Sequence, residues 1–341
     1  DKWRQEVKIK CPYESFENSP IPTSRFYLMQ KTQFQNTAIK GIEKNASRLA
    51  LGCDNQTSSL HAFTMFDHFY GAGGRIFDTA YIYNNGKGDK YLGDWINSRN
   101  LEKDIIVIGK GAHTPQCEPQ FIRPQILESL ERLNIETLDI FCLHRDNPDI
   151  PVSEFMDALD EVKSEGLINL IGASNWDLER FSEARDYAQL NNKEPFTALS
   201  NNFSLAEMVD PVWPGCVGVN NQYINYLIEN QIMLFPWSSQ ARGFFIEKKE
   251  ITSNEHFSNP SLEEEVRVWH NEKNLKRRAK CFEIAKQKNL QPIQVALAYV
   301  VQKSSLIFPL IGPRTIFETN SSIEATQINL SAQEMIDLSI D

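Results

Sequence analysis

Three apolar runs in this 341-residue chain carry an ionisable residue at or near their C-terminal end. RIFDTA contains Asp78, DIIVIGK closes on Lys110 and TLDIFCLH closes on His144. A fourth group, Tyr83, follows Asp78 in the polar turn YNNGKGD. None of these groups belongs in an apolar setting without a partner. A tyrosine hydroxyl has an unperturbed pKa of about 10 and gives up its proton near neutrality only if that value falls. A neighbouring ammonium such as Lys110 lowers it by stabilising the phenolate. Asp78 would keep Lys110 charged through a charge-assisted hydrogen bond. His144 would orient a carbonyl oxygen. Such a pocket protonates an oxygen as charge develops on it. Taken singly, each residue has an ordinary explanation: a cap, a strand end at solvent, a structural imidazole. Their recurrence at successive strand ends is what argues for chemistry.

The elements that would position them alternate in type. Strands are expected over 48–53, RIFDTA, 104–110, 137–144, 167–175, 196–202, 232–239 and 306–312. Amphipathic segments lie between them: SLHAFTMFDHFYGAGG, 89–99, 120–133, 152–166, 178–191, 221–230, 264–289 and 292–303, with 315–325 and 331–339 following the last strand. Alternating βα units imply parallel strands with right-handed crossovers. Eight such units predict a closed (β/α)8 TIM barrel over residues 47–341, with long loops at 203–220 and 240–263 and extra helices in the C-terminal half. Functional groups in that fold stand at the C-terminal ends of the strands. An open dinucleotide-binding sheet would need a glycine-rich turn after its first strand. The one glycine cluster, GAGG at 71–74, follows a helix instead. Residues 1–46 are turn-rich and polar and read as an N-terminal arm or linker.

Composition narrows the function further. The formal net charge of −10 disfavours nucleic acid and anionic membranes as partners. No apolar run reaches the roughly 18 residues of a membrane span. The opening DKWRQEVKIK lacks a secretory apolar core. The six cysteines are scattered without a CxxC pair, which points to reduced thiols and a cytoplasmic location. The histidines show no HxH or HExxH spacing, so no metal is expected, and GxSxG and P-loop patterns are absent.

Beyond these readings, the ordered motifs resemble the aldo-keto reductase superfamily over residues 46–340. FDTAYIYNNGKGDKYLGDWI is similar to that family's DTAxxYGxGxSExxLG block, and VIGKG, LDIFCLHRD and IGASNW to its next three strand-end motifs. PWSSQARGFF is similar to YSPLxRG, PLIGPRT to the last-strand G-x-R block, and DPVWPGC to the PWPGC loop of a mostly microbial branch.

The resemblance implies roles by position. Tyr83 would be the general acid, with Lys110 and Asp78 beside it and His144 orienting the carbonyl. Ser174 and Asn175 would bond the nicotinamide carboxamide. Ser200 falls where many members carry Gln, with Asn202 close enough to substitute. Trp237 would stack on the nicotinamide, and Ser238, Gln240, Arg242 and Gly243 would wrap the pyrophosphate. Gly312 and Arg314 would border an adenosine 2′-phosphate, favouring NADP(H), while Glu318 places a negative charge there and keeps NAD(H) as the alternative. Asn84 and Asp89 depart from the family's Gly and Glu, and Asn tolerates the left-handed backbone such a turn requires. Ile82, His113, Arg145, Trp176, Phe203 and Trp213 would line the substrate pocket.

The expected activity is NADPH-dependent reduction of an aldehyde or ketone by direct hydride transfer, or the reverse reaction on a sugar or polyol. The expected partner is therefore a small carbonyl or polyol, and no oligomeric state is implied. Two alternatives accompany this reading: a cofactor-binding regulatory or interaction module, and the reductase half of a bifunctional protein.

Overall fold

Successive side chains of a strand point to opposite faces, so residues of one parity share one side of the sheet. In the computed structural model, which describes residues 34, 37–246 and 260–340, that parity decides what fills the barrel. A hairpin comes first, β1 (Thr37–Ile39) and β2 (Ile42–Ala46), paired antiparallel. Strands and helices then alternate: β3 (Ala50–Gly52), α1 (Ser59–Gly71), β4 (Ile76–Asp78), α2 (Lys87–Arg99), β5 (Ile106–Gly111) and α3 (Ile122–Leu133). The pattern continues through β6 (Leu138–Leu143), α4 (Val152–Ser164), β7 (Ile168–Ala173), α5 (Leu178–Leu190), β8 (Ala198–Leu199), α6 (Asn221–Glu229) and β9 (Met233–Leu234). The C-terminal part adds α7 (Pro260–Trp269), α8 (Glu272–Lys288), α9 (Pro292–Lys303), β10 (Leu310–Ile311), α10 (Ile316–Ala325) and α11 (Ala332–Leu338).

The parallel strands β3 to β10 form one eight-stranded sheet in which β10 lies beside β3. Its two edges meet. Phe308 N donates to Leu234 O at 2.8 Å and Leu310 N donates to Pro236 O at 3.0 Å. The sheet is thereby closed into the expected (β/α)8 barrel, with no edge left to pair. The long loop after β8 and the additional C-terminal helices are present as well, while residues 247–259 of the loop expected at 240–263 lie outside the described residues.

In β4, β5 and β6 the even-numbered residues Ile76, Ile106, Ile108, Ile140 and Cys142 point inward and form one apolar cluster with Ala50 and Leu170. The odd-numbered Phe77, Val107, Phe141 and Leu143 join the layer between sheet and helices. There Phe77 packs 4.9 Å from Trp95 and 5.6 Å from Phe66, ring centroid to ring centroid. The second pair is edge-to-face and the first tilted, and offset or edge-to-face aromatic pairs contribute about 0.5–1.5 kcal/mol beyond their burial.

Residues 1–33, 35 and 36, most of the expected arm, lie outside the described residues. Its last ten positions, 37–46, form the hairpin. Ile39, Ile42 and Ala46 join the inner apolar cluster, and Lys44 Nζ donates to Asp139 Oδ2 at 2.8 Å. The single helix expected over 264–289 is two helices. Asn271, in extended backbone, breaks the run, and its side chain accepts from Asn274 N at 2.7 Å to start α8. Asparagine is among the strongest N-caps, which outweighs the continuous periodicity around it. Cys53, Cys117, Cys142, Cys216 and Cys281 are buried free thiols, and Cys11 is outside the described residues. No helix among the described residues is long and apolar enough to cross a membrane.

Candidate active site

Asp78, Lys110 and His144 extend the inward parity of β4, β5 and β6, above the apolar layers of Ile76, Ile106, Ile108, Ile140 and Cys142. The register sets Asp78 beside Ile108 and Lys110 beside Cys142. His144 is held directly after β6, its N–H donating to Gly111 O at 2.6 Å. The Lys110 ammonium donates to both Asp78 oxygens and to the Tyr83 hydroxyl, the latter at 3.3 Å. All four side chains are thus brought together.

Their electrostatics follow from burial and from each other. Burial alone would lower the Lys110 pKa, but Asp78, and after it Tyr83, outweighs this and holds the ammonium above its usual range. Burial pushes the Asp78 carboxyl up while Lys110 pulls it down. With both oxygens on the ammonium, the pair stands ionised. Tyr83 departs from expectation. Burial raises its pKa above the ordinary tyrosine value, and the pull of Lys110 only reduces that rise, against further pushes from Asp78 and Asp54. The phenol is therefore fully protonated at neutral pH. Burial, then the charges of Lys110, His113 and Arg145, hold His144 well below the usual histidine range, so its imidazole is neutral. The His144 ring meets Tyr83 edge-on at 5.7 Å and His113 at 4.8 Å. Its buried Nδ1 has no hydrogen-bond partner among the described residues.

The turn carrying Tyr83 depends on left-handed backbone. Asn84 (φ 51°), Asn85 (φ 54°) and Gly86 (φ 82°) follow it in succession. Asn84 Nδ2 also donates to Asp54 O at 3.1 Å, tying the turn to the loop after β3. Asp89 is fully buried beneath the turn, accepting from Thr79 Oγ1 at 2.6 Å and Ser129 Oγ at 2.9 Å.

The remaining site positions form a second tier. Ser174 Oγ donates to Ser200 O at 2.6 Å, and Ser200 Oγ donates to Phe235 O at 3.0 Å. Asn175, at φ 61°, donates through Nδ2 to His144 O at 3.3 Å and to Ser174 Oγ at 3.0 Å, and accepts from Val217 N at 3.2 Å. Asn202 Nδ2 donates to Trp237 O at 3.0 Å. These amides are committed to the scaffold as it stands. Trp237 is half-buried beside the barrel mouth, its indole N–H unpartnered among the described residues.

After Trp237 the backbone passes through positive φ at Ser238 (49°), Ala241 (47°), Arg242 (51°) and Gly243 (94°), with Gln240 between them. Within this turn the N–H groups of Ala241, Gly243 and Phe244 donate to Ser238 O, Gln240 O and Ala241 O at 2.8, 3.2 and 3.0 Å. The Arg242 guanidinium itself is engaged, donating to Glu264 Oε1 at 2.6 Å and lying 5.2 Å from the centre of the Trp213 ring. Gly312 O accepts from Asn55 Nδ2 at 2.8 Å, and Arg314 O lies 2.9 Å from His61 Nε2. Glu318 closes a capping box with Thr315, its carboxylate accepting from Arg314 N at 2.6 Å.

The expected pocket residues divide. Ile82 (39% exposed) and Trp213 (49% exposed) are open to solvent, Trp213 lying 6.4 Å from Trp237 between ring centroids. His113 stands against His144, Arg145 is buried beside it, and Phe203 is buried in the following tier. Trp176 corrects expectation: it is fully buried between Phe155 and Phe196, so its ring belongs to the core. Its apolar neighbours outweigh its place after a strand end. One residue was missed. Asp54, two residues after β3, exerts its charge on Asp78 and Tyr83. It follows a strand, so the strand-end signal was there to find it. Asn201, at the strand end before Asn202, accepts from Asn175 N at 2.6 Å. No cluster able to hold a metal ion occurs among the described residues.

The chain matches the family model described as Aldo/keto reductase family over residues 48–339. Norsolorinic acid reductase of Aspergillus flavus is 25% identical over 304 residues, covering 83% of this chain and 71% of that protein. Aryl-alcohol dehydrogenase [NADP(+)] of Phanerodontia chrysosporium is 25% identical over 298 residues, covering 80% and 74%. A thermostable aldo-keto reductase solved with the inhibitor epalrestat superposes with a TM-score of 0.68 at 19% identity, covering 89% of this chain and 98% of that one.

Proposed function

The chain belongs to the aldo/keto reductase family, a family of NAD(P)H-dependent reductases, and we propose that it reduces an aldehyde or ketone with NADPH, Tyr83 supplying the proton. The observation that carries this reading is the buried Lys110 ammonium shared between Asp78 and the Tyr83 hydroxyl. When bound, the cofactor supplies the hydride that forms the new C–H bond. Tyr83 gives its hydroxyl proton to the carbonyl oxygen and is left as a phenolate beside Lys110. The rise in its pKa keeps that proton in place until an alkoxide forms, which is more basic still. His144, held neutral, bonds the same oxygen. Charged and polar groups fixed in a dry site are effective in this role because they need no reorganisation during reaction.

The residues present fit a nicotinamide dinucleotide. Trp237 offers a face at the barrel mouth, and the positive-φ run from Ser238 to Gly243 suits a pyrophosphate. Arg314 is exposed and suits a 2′-phosphate. The Glu318 carboxylate accepts from the backbone N–H groups of Arg314 and Thr315 just before α10, which reduces its opposition to that phosphate. The aryl-alcohol dehydrogenase relative, whose name specifies NADP(+), agrees with this choice. The direct test is NADPH oxidation with 4-nitrobenzaldehyde. Tyr83→Phe should lose at least about 100-fold in rate with NADPH binding retained. Unchanged turnover would remove Tyr83 from the mechanism.

A further inference from the structure

Arg145 is a buried cation with no counter-ion among the described residues. It is 8% exposed, and no carboxylate among the described residues pairs with it. Its nearest acidic neighbour in sequence, Asp146, is taken by Arg180 through two contacts of 3.0 Å. Of the five N–H donors a guanidinium carries, Arg145 uses one on His144 O at 3.2 Å and one on Cys216 Sγ at 3.5 Å, a weak acceptor. The other buried charges around it cancel or vanish. Lys110 is matched by Asp78, and His144 and His113 are both held below the usual histidine range. One uncompensated positive charge therefore remains beside His144. An arginine stays charged when buried, so it cannot relieve this by losing a proton. A lone buried charge is costly unless something pairs with it.

The location indicates what would pair with it. The guanidinium is anchored on the backbone of His144, whose ring faces Tyr83 at 5.7 Å. The loop carrying Trp213, Gly215 and Cys216 forms its roof, with Gly215 presenting only backbone near the arginine stem. We infer that Arg145 binds a carboxylate on the substrate, so that the preferred substrates are aldehydes or ketones bearing an anionic group. The planar guanidinium fork matches a carboxylate with two parallel hydrogen bonds, which a neutral substituent of the same shape cannot reproduce. The inference rests on the reductase reading and adds the substrate class to it.

The test uses pairs of equal shape and unequal charge. With NADPH and the full chain, kcat/KM is measured for 3- and 4-carboxybenzaldehyde against 3- and 4-nitrobenzaldehyde. Wild type should favour the carboxylate of at least one pair by about 10- to 100-fold, the range of a hydrogen bond to a charged group. Arg145→Met should collapse that ratio, chiefly through KM, while Arg145→Lys, which keeps the charge, should retain part of it. A wild-type ratio near one for both pairs would overturn the anion site and leave the reductase reading standing. Turnover of none of the four would count against the reductase reading itself. Because the wild-type ratio needs no substitution, an unstable Arg145→Met protein would not rescue the inference. A ratio that survives in a folded Arg145→Met protein would also overturn it.

Discussion

The Tyr83 hydroxyl lies 3.3 Å from Lys110 Nζ, on an ammonium that both Asp78 oxygens also accept from. Lys110 therefore has two functions that substitution can separate. Lys110→Met leaves a buried carboxylate without its partner, which costs about 3–5 kcal/mol. Urea denaturation should show that loss, and adding Asp78→Asn should restore part of it. Activity should stay low in both proteins, because neither offers an ammonium to the Tyr83 phenolate. Full stability in the single variant would contradict the ion pair.

Gly88 tests how tightly the tyrosine is placed. A Cβ there would meet Tyr83 Cβ at 3.0 Å and Cys53 O at 3.1 Å. The carbonyl is fixed by the strand before it, so the tyrosine has to move. The shift needed is a few tenths of an ångström, so Gly88→Ala should reduce kcat by up to about 10-fold, less than the roughly 100-fold of a 1 Å misplacement. Circular dichroism should show the fold retained. Wild-type kcat would mean that the tyrosine is not held by this contact.

His144 should give stability a specific pH dependence. Burial, followed by Lys110, His113 and Arg145, lowers its pKa in the folded protein. Below the unfolded value of about 6.5, the unfolded chain binds a proton that the native imidazole refuses. Stability is then lost on acidification, with a slope approaching about 1.4 kcal/mol per pH unit. Urea unfolding of wild type and His144→Gln at pH 7, 6 and 5 isolates this contribution. Equal slopes for the two proteins would show that the imidazole is not held neutral.

Arg314 should separate the two cofactors. Its guanidinium is exposed just before α10, and NADPH alone would offer it a 2′-phosphate. Arg314→Ala should weaken NADPH binding by about 10-fold or more and leave NADH near its original affinity. The gap should narrow as salt is raised, because exposed charges are screened. Equal losses for both cofactors would place Arg314 away from the phosphate.

The barrel and its four central residues were legible because both depend on a short-range pattern. Ile106, Ile108 and Lys110 share one parity, as do Ile140, Cys142 and His144. A polar residue continuing an apolar interior series at a strand's C-terminal end is visible without coordinates. Competition between long-range terms was not visible. The net pKa of Tyr83 depends on how far burial outweighs Lys110, and residue types alone do not give that balance. Trp176 stands where a pocket residue would, and only the positions of Phe155 and Phe196 place it in the core. The pairing of Arg242 with Glu264 joins positions far apart in the chain, with no periodic signal to connect them.

The hairpin of β1 and β2 divides the roles of the two barrel ends. Its Ile39 and Ile42 pack among Ile76, Ile106 and Ile140, near the N-terminal ends of the barrel strands, and Gly41 lies against Leu170. Among the described residues the hairpin thereby covers the N-terminal end of the barrel, opposite the strand ends that carry Asp78, Lys110 and His144. Closure and chemistry are thus assigned to opposite ends of one apolar interior.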